Sequence, residues 1–436
     1  MFWCKSRSTK TAEEDKWWIF GNWKNGGIID SNLGPMKKGF LDNNGYFMAL
    51  GGQYLCFPGN WILPFLHITT GSIHIVLLAC TAYIVNIQDL AIMCESLHFV
   101  VVLATTCTME ISSLMLRSKI EYVMRTLGEG VYSYEDSLDE ASLKEMRQLS
   151  SKAKYGKKLG TRIFVILVML TSVVISFVRP IIMHLIQKLD YSDDFKGLNR
   201  YLPVHTWFPF DTHDIWVRIL CGVNQFITIY TVPCTVFGFD LTFLCISEEI
   251  IYQLKTVGLT MRNVKVRAKT LMKSRADMDF GSALTKCLNH SVEHHNVVAR
   301  LFKVFNDVYY YSLLMMMTGA TFMLCLSCIL FTAPDVGFSS KGTFLCFLLA
   351  ELFHTFLFCW YGDQMKEASS NILNEIYGSD WIEYSVEMKL YIIMVMHRSL
   401  KPLTVDAGGF MDASMHTFAN VLSSAYSYFN LLNAAR

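Results

Sequence analysis

Charged residues are scarce in this sequence: 17% of its 436 residues are Asp, Glu, Lys or Arg, while 52% are hydrophobic. The formal net charge is only +1, so the chain lacks the basic excess with which proteins neutralise nucleic-acid phosphates. An ordinary soluble domain carries considerably more charge and fewer apolar residues. The shortage of charge therefore indicates a membrane protein with no nucleic-acid partner.

The sequence also lacks the patterns of a disulfide framework and of an enzyme. Most of its 13 cysteines lie inside apolar runs, which is typical of buried thiols. No nucleophile elbow, phosphate-binding loop or zinc-protease motif occurs. His290, His294 and His295 resemble one histidine box of membrane di-iron enzymes, but no second box follows. We therefore expect no enzyme activity, no cofactor and no metal site.

The first 30 residues lack the uninterrupted apolar core of a signal peptide, because charged residues such as Lys5, Lys10 and Glu13 break it up. We predict that 1–60 form a cytosolic N-terminal segment and that 61–436 form one transmembrane domain.

Seven apolar runs are long enough to cross a bilayer, which predicts an all-α membrane protein with seven transmembrane helices. They lie at 62–86, 91–116, 159–187, 214–245, 306–332, 342–362 and 409–433. The stretch 387–402 is apolar but short, and Pro402 and the Gly408-Gly409 pair follow it. We interpret it as the cytosolic or buried first half of a last helix that is split in two.

Basic residues orient the predicted bundle. They are concentrated in 117–158 and 246–305, whereas the alternate links are poor in Lys and Arg. The positive-inside rule therefore places the N-terminus in the cytosol and the C-terminus outside the cell. G-protein-coupled receptors have the opposite orientation. The only glycosylation sequon, at Asn289, falls on the cytosolic side in this topology.

The long cytosolic segments 117–158, 246–305 and 363–402 also carry apolar residues at helical spacing. They are predicted to extend the transmembrane helices below the membrane and to form an anchor region for an oligomer. Simple solvated linkers are the alternative.

The last segment carries a stripe of small polar residues. On a helix with roughly 100° per residue its members fall within an arc of about 80°. They are Thr417, Asn420, Ser424 and Ser427, followed by Leu431. Such a stripe inside a bilayer either lines a water-filled pore or marks tight helix packing.

Several spaced signatures resemble the insect odorant receptor family over most of the chain. They are Leu202-Pro203 and Trp207-Phe208-Pro209 in an outer loop, Phe358-Cys359-Trp360-Tyr361-Gly362, Ile376-Tyr377, Trp381, Arg398, Pro402, Ala407-Gly408-Gly409 and Ser427-Tyr428-Phe429. The terminal SYFNLLNAAR differs from the ending usual in the related gustatory receptors. The link 246–305 is much shorter than that of the odorant co-receptor, so the chain resembles a ligand-tuned subunit.

The resemblance implies an odorant-gated, non-selective cation channel. A tuned subunit of this family joins odorant co-receptor subunits in a heterotetramer whose last helices, here 409–433, line a central pore. It acts in the plasma membrane of sensory neurons and is opened by a small volatile ligand. Two rival hypotheses are a gustatory-type homotetrameric channel and a non-conducting seven-span receptor that signals through a partner.

The family pattern places a gate near the outer end of the last helix, at Leu431 with Ala434 or Ala435 a turn further on. An apolar ring at this position blocks ions by dewetting. The ligand pocket is expected in the outer half of the bundle, where aromatic residues, Met and a few hydroxyls suit an apolar odorant. The candidates are Met93, Ser96, Phe99, Ser176, Phe177, Met183, Trp216, Leu220, Asn224, Phe344, Phe347 and Leu348.

Three charged residues lie within the apolar runs, where an unpaired charge is expensive. Glu351 is interpreted either as a paired structural residue or as part of ligand recognition or gating. Asp240 is expected to be structural. Arg179 is expected to extend its side chain towards the outer surface.

Overall fold

The computed structural model describes residues 62–85, 89–132, 134, 137–186, 198–199, 202–212, 214–274, 278–334 and 336–434. The predicted segment 1–60 therefore lies outside the described residues.

The described chain is almost entirely helical. Apolar runs fold as helices because every backbone polar group in a bilayer must find its partner within the segment. In chain order the helices are α1 Ile62–Val85, α2 Leu90–Met115, α3 Arg117–Glu129, α4 Glu140–Val173, a π-helical turn Val174–Val178, α5 Arg179–Ile186, α6 Ile215–Arg262, α7 Val264–Ser274, α8 Phe280–Thr332, α9 Phe338–Tyr377, a 3-10 turn Trp381–Glu383, α10 Val386–Ser399 and α11 Met415–Ala434.

Six of the described helices are long and apolar enough to cross a membrane: α1, α2, α4 with its continuation to Ile182, α6, α8 and α9. They include the first six predicted spans. The last helix, α11, has 20 residues but is less apolar because it carries the polar stripe. The predicted total of seven spans therefore remains a prediction.

Helices α6, α8 and α9 extend well beyond the roughly 20 residues that a bilayer requires, as α4 also does. Helix α6 has 48 residues, α8 has 53 and α9 has 40. Their extra turns pack with α3 and α7 into one hydrophobic core, which includes Leu127, Leu254 and Leu284. The segments 117–158 and 246–305 thus contribute to a packed helical body rather than only to solvated linkers.

Strands β1 Leu198–Asn199 and β2 Thr206–Trp207 pair between α5 and α6. A short β-hairpin separates α10 from α11. Its strands are β3 Asp406–Ala407 and β4 Met411–Asp412, and they pair antiparallel. Gly408 and Gly409 form the turn at φ values of 68° and 75°, a region that glycine enters without strain. Because the hairpin occupies these residues, α11 begins at Met415 and not near 409 as the sequence pattern predicts.

The hairpin and the residues just before it are hydrogen-bonded to the two long helices α8 and α9. The Asp406 N–H donates to Asn306 Oδ1 of α8 at 2.7 Å, and the Leu403 N–H donates to Ser369 Oγ of α9 at 3.1 Å. At Gly362 of α9 the backbone of Ala413 comes so close that a Cβ atom would overlap the Ala413 carbonyl. This contact sets the position from which α11 starts, since Ala413 lies just before the helix.

Replacing Gly362 with Ala is expected to push the hairpin away from α9, because the added methyl would overlap backbone that cannot rotate aside. Overpacking of this kind costs about 1–3 kcal/mol. The thermal unfolding midpoint of the purified receptor and its amount at the cell surface should both fall. Gly342→Ala is the matched control, since that glycine also lies in α9 but has open space where its Cβ would be. Equal behaviour of the two variants would contradict the close contact.

Candidate ligand cavity and the exposed face of the last helix

A largely apolar cavity of about 160 Å³ lies inside the bundle formed by α1, α2, α4, α6, α8 and α9. Engineered apolar cavities of about 150 Å³ bind molecules the size of benzene. The cavity is therefore suited to a small molecule. Its lining includes His74, Phe99, Leu103, Thr106, Met109, Phe164, Thr171, Gln225, Thr228, Ile229, Val232, Met323, Phe347, Glu351 and His354.

The lining residues follow the helical repeat. Helix α2 contributes Phe99, Leu103 and Thr106, which are four and three residues apart. Helix α6 contributes Gln225, Thr228 and further residues at the same spacing. Because such residues lie on one face of a helix, each helix turns one mixed apolar and hydroxyl-bearing face towards the cavity.

The loop between α5 and α6 rests on one end of the cavity. Its strand β2, Thr206–Trp207, pairs with β1, Leu198–Asn199. The Val204 N–H donates to Gln225 Oε1 at 3.2 Å, and Gln225 Nε2 donates to the Val204 carbonyl at 3.0 Å. The Gln225 side-chain amide thus makes the two hydrogen bonds with Val204 that the backbone of a neighbouring strand would otherwise make. Val204 itself lines the cavity, so the loop contributes to its wall.

Besides Gln225, a cluster of three ionisable side chains lies where α6 and α9 meet. His354 stands between two carboxylates: its Nε2 is 2.9 Å from Asp240 Oδ2, and its Nδ1 is 3.6 Å from Glu351 Oε1. Glu351 and His354 line the cavity, whereas Asp240 is buried behind them. A ligand in the cavity would therefore meet a carboxylate and an imidazole at this end. Glu351 is both paired and accessible to the cavity.

Arg179 is buried with only 1% of its surface exposed, so the expectation that it reaches to the outer surface is wrong. Its Nη2 donates to both carboxylate oxygens of Glu95 at 2.8 Å. His205 Nδ1 lies 3.1 Å from the same carboxylate. The Arg179 side chain turns inward because Glu95 offers a partner there. The group links α5, α2 and the loop that carries His205.

The structure places the predicted ligand residues in three settings. Phe99 and Phe347 line the cavity, and Phe344 packs beside them with its ring 6.2 Å from that of Phe99 and 6.1 Å from that of Phe347. Phe177, Trp216 and Leu220 instead face away from the bundle and are more than half exposed. The remaining described side chains do not line the cavity; they are Met93, Ser96, Ser176, Asn224 and Leu348.

The Met183 side chain lies outside the described residues. Ligand contact therefore remains a prediction for all twelve candidates.

The polar residues that line the cavity from α1 and α6 were not among the predicted ligand residues. His74 lies 3.1 Å from the Thr228 hydroxyl, and Gln225 stands one turn before Thr228. Polar residues at helical spacing within an apolar run are expected to face a bundle interior. That signal is present in the sequence, but on α6 the predicted set contains Asn224 and not its neighbour Gln225.

Helix α11 has a fixed face and an exposed face. Val421 and Ala425 pack against Ala320 and Leu324 of α8, with leucines of α9 beside them. Asn420, Ser424, Ser427, Leu431 and Ala434 of the predicted pore set are exposed on the single chain. Ala435 lies outside the described residues.

Thr417 differs from the rest of the stripe because it is buried. The Ser414 side chain accepts a hydrogen bond from the Thr417 N–H at 3.2 Å, which is the geometry of a helix N-cap, and the two hydroxyl oxygens are also 3.2 Å apart. The exposed polar face thus begins one turn later, at Asn420.

The histidine cluster that resembles a histidine box occupies the part of α8 that precedes the predicted span. His294 Nδ1 lies 2.8 Å from the Tyr134 hydroxyl, and its Nε2 lies 2.8 Å from Gln253 Oε1. Both ring nitrogens therefore have protein partners. The Arg267 guanidinium lies over the Tyr134 ring, and burial raises the pKa of Tyr134 to about 12, so its hydroxyl remains protonated. The cluster joins the loop before α4 to α6, α7 and α8.

A family model described as 7tm Odorant receptor matches residues 89–426. The chain therefore belongs to the insect odorant receptor family, as its spaced signatures predict.

Individual relatives support this assignment. Odorant receptor 67a of Drosophila melanogaster is 24% identical over 256 residues, which span 57% of this chain and 59% of that receptor. The odorant receptor coreceptor of Anopheles gambiae is 32% identical over 149 residues, which span 33% of this chain and 30% of that protein. The aligned segments thus cover less than two thirds of these relatives.

The fold also matches solved receptors. The olfactory receptor OR5 from Machilis hrabei in complex with eugenol superposes with a TM-score of 0.72 at 14% identity, over 90% of this chain and 97% of that one. At this identity the match concerns the fold.

Proposed function

We propose that this chain is an odorant-gated, non-selective cation-channel subunit. It binds a small volatile ligand in the cavity and opens a central pore in a tetramer with the odorant co-receptor, in the plasma membrane of sensory neurons. The observation that carries the proposal is the exposed polar face of α11, whose opposite face is fixed to α8. Polar side chains in a bilayer require water or another protein, and a central pore between subunits supplies both.

The orientation follows from the basic residues. Lysines and arginines are concentrated at the end of the bundle where α3, α7 and the long extensions lie. This end is therefore cytosolic, the N-terminus lies on the same side, and seven spans leave the C-terminus outside.

An epitope tag placed after Arg436 is expected to be labelled by antibody on intact cells, because an odd number of spans separates it from the cytosolic N-terminus. A second tag before Met1 is the control and should be labelled only after permeabilisation. Labelling of both tags only in permeabilised cells would overturn the orientation and the pore assignment with it.

Support for the ligand comes from the cavity. Its walls are apolar, its volume suits a molecule of roughly benzene size or somewhat larger, and a few polar groups can orient a head group. The Machilis hrabei receptor OR5, which has the same fold, was solved in complex with eugenol. We propose a ligand of comparable size here.

Filling part of the cavity should weaken activation by the ligand. In cells that express this chain with the co-receptor, an activating volatile should evoke a current that Val232→Phe reduces at least about tenfold in potency, because the added ring occupies the space that dispersion contacts with the ligand require. Val223→Phe is the matched control on the same helix, where the side chain faces outward and is half exposed. Surface labelling of both variants checks that they reach the membrane.

Equal potency of the two variants would place the ligand elsewhere. Full currents without the co-receptor would indicate a homomeric channel instead, and ligand binding without any current would favour a non-conducting receptor.

The proposed channel should open more easily when the apolar ring of Leu431 side chains is removed. Leu431 is 67% exposed on the single chain and lies on the polar face near the end of α11. Leu431→Ser is expected to raise the current measured without odorant severalfold, because a hydroxyl ring stays wetted. Leu432→Ser, roughly 100° around the helix, is the control and should leave that current near the wild-type level. An unchanged resting current in Leu431→Ser would exclude a gate at this position.

A further inference from the structure

We infer a binding site for an anionic phospholipid in a groove between α4, α6 and α9, at the cytosolic boundary of the bundle. The groove has a volume of about 430 Å³ and is separate from the ligand cavity. The inference rests on the proposed membrane orientation but on neither odorant binding nor ion conduction.

Three helices each contribute a stripe of residues to the groove. Helix α4 supplies a run of seven residues from Leu149 to Ile163, most of them three or four apart. Helix α6 supplies residues from Glu248 to Lys255, and α9 supplies residues from Phe353 to Gln364, with the same spacing. Because this is the repeat of a helix face, the groove is formed by three complete faces and not by scattered side chains.

Two glycines make room for an occupant. Gly156 and Gly160 are one turn apart on α4. A Cβ at Gly156 would meet nothing within 4 Å, so the space above it is open. A Cβ at Gly160 would make only an ordinary contact with Leu357.

The groove changes from polar to apolar along the membrane normal. Helix α4 ascends from the cytosol while α6 and α9 descend towards it, so Lys152, Lys255 and Gln364 lie at the same end. Ile163 and Phe353 lie at the other end, within the predicted spans. From Lys152 to Ile163 the helical rise is roughly 16 Å. A headgroup at the lysines would thus place its acyl chains along the apolar end.

The charges favour an anionic headgroup. Lys152 and Lys255 are exposed, and neither forms an ion pair with another described residue. The one acidic lining residue among those described, Glu248, has the Tyr361 hydroxyl as a hydrogen-bond partner and both Lys157 and Lys255 nearby, so two lysines offset its single charge. Basic pockets between transmembrane helices on the cytosolic side are typical sites for anionic lipid headgroups.

An aromatic pair marks the depth of the site. The rings of Phe356 and Trp360 are stacked with centroids 5.8 Å apart, and both residues line the groove. Trp360 is nearly half exposed. Tryptophan is enriched at the membrane–water interface, where a phospholipid has its glycerol backbone.

The test measures bound lipid on the full-length receptor. The protein is reconstituted in nanodiscs of phosphatidylcholine alone or of phosphatidylcholine with phosphatidylserine, extracted, and analysed by native mass spectrometry. Retained phosphatidylserine should exceed retained phosphatidylcholine in the wild type. The double variant Lys152→Gln, Lys255→Gln should lose at least about fivefold of the phosphatidylserine, since lysines near the surface attract anionic headgroups.

The matched control is Lys154→Gln, Lys158→Gln, which removes the same charge from exposed positions of α4 that do not line the groove. It should retain phosphatidylserine within about twofold of the wild type, because these two lysines do not line the groove and would not contact a headgroup bound in it.

Gly156→Leu provides an independent variant, since it fills the groove without a change of charge. It should reduce retention of both lipids, whereas Gly342→Leu, in open space at the far end of α9, should not.

Wild-type phosphatidylserine retention in Lys152→Gln, Lys255→Gln, an equal loss in the Lys154 and Lys158 control, or unchanged retention in Gly156→Leu would each overturn the site. Odorant-evoked currents recorded in parallel separate this outcome from a failure of the proposed channel function, because lipid retention requires no current.

Discussion

The structure depends on one constraint: a charge inside the bilayer must find a partner within the bundle. Arg179 meets this requirement through Glu95 and His205, and His354 meets it between Asp240 and Glu351. The charges thereby specify which helices adjoin, since α5 meets α2 through the first group and α9 meets α6 through the second. Removing one partner of such a buried pair typically costs about 3–5 kcal/mol, since the other charge is left unpaired. The second group also supplies Glu351 and His354 to the lining of the cavity.

The same constraint applies to α11, because the single chain leaves the polar face of this helix exposed. Val421 and Ala425 hold one side of this helix against α8, while Asn420 and Ser424 remain exposed on the other. The hairpin before α11 is fixed by Asn306, so the direction of the polar face is set by the long helices and not by the last helix itself. In the proposed channel, further subunits would cover this face, which the single chain positions but leaves exposed.

The sequence predicted the positions of the helices far better than it predicted which side chains contact one another. Apolar runs locate the spans because lipid leaves the backbone no alternative to the helix, and the starts of α1 and α2 agree with the predicted 62 and 91 to within one residue. The inward turn of Arg179 depends on Glu95, 84 residues earlier in the chain, and local patterns carry no such information. Trp216 illustrates the same limit, since an aromatic ring suits lipid as well as a ligand and only the packing shows that it faces outward.

Helix α8 runs without interruption from Phe280 to Thr332, from the hydrophobic core around Leu284 to the opposite end of the bundle. Its 53 residues form a rod of roughly 80 Å. A rod of that length acts as a mechanical lever: a tilt of about 3° about one end displaces the other by roughly 4 Å, given the helical rise per residue. Ala320 and Leu324 of α8, which contact α11, lie roughly 60 Å from Phe280, so the same tilt would displace the last helix by roughly 3 Å.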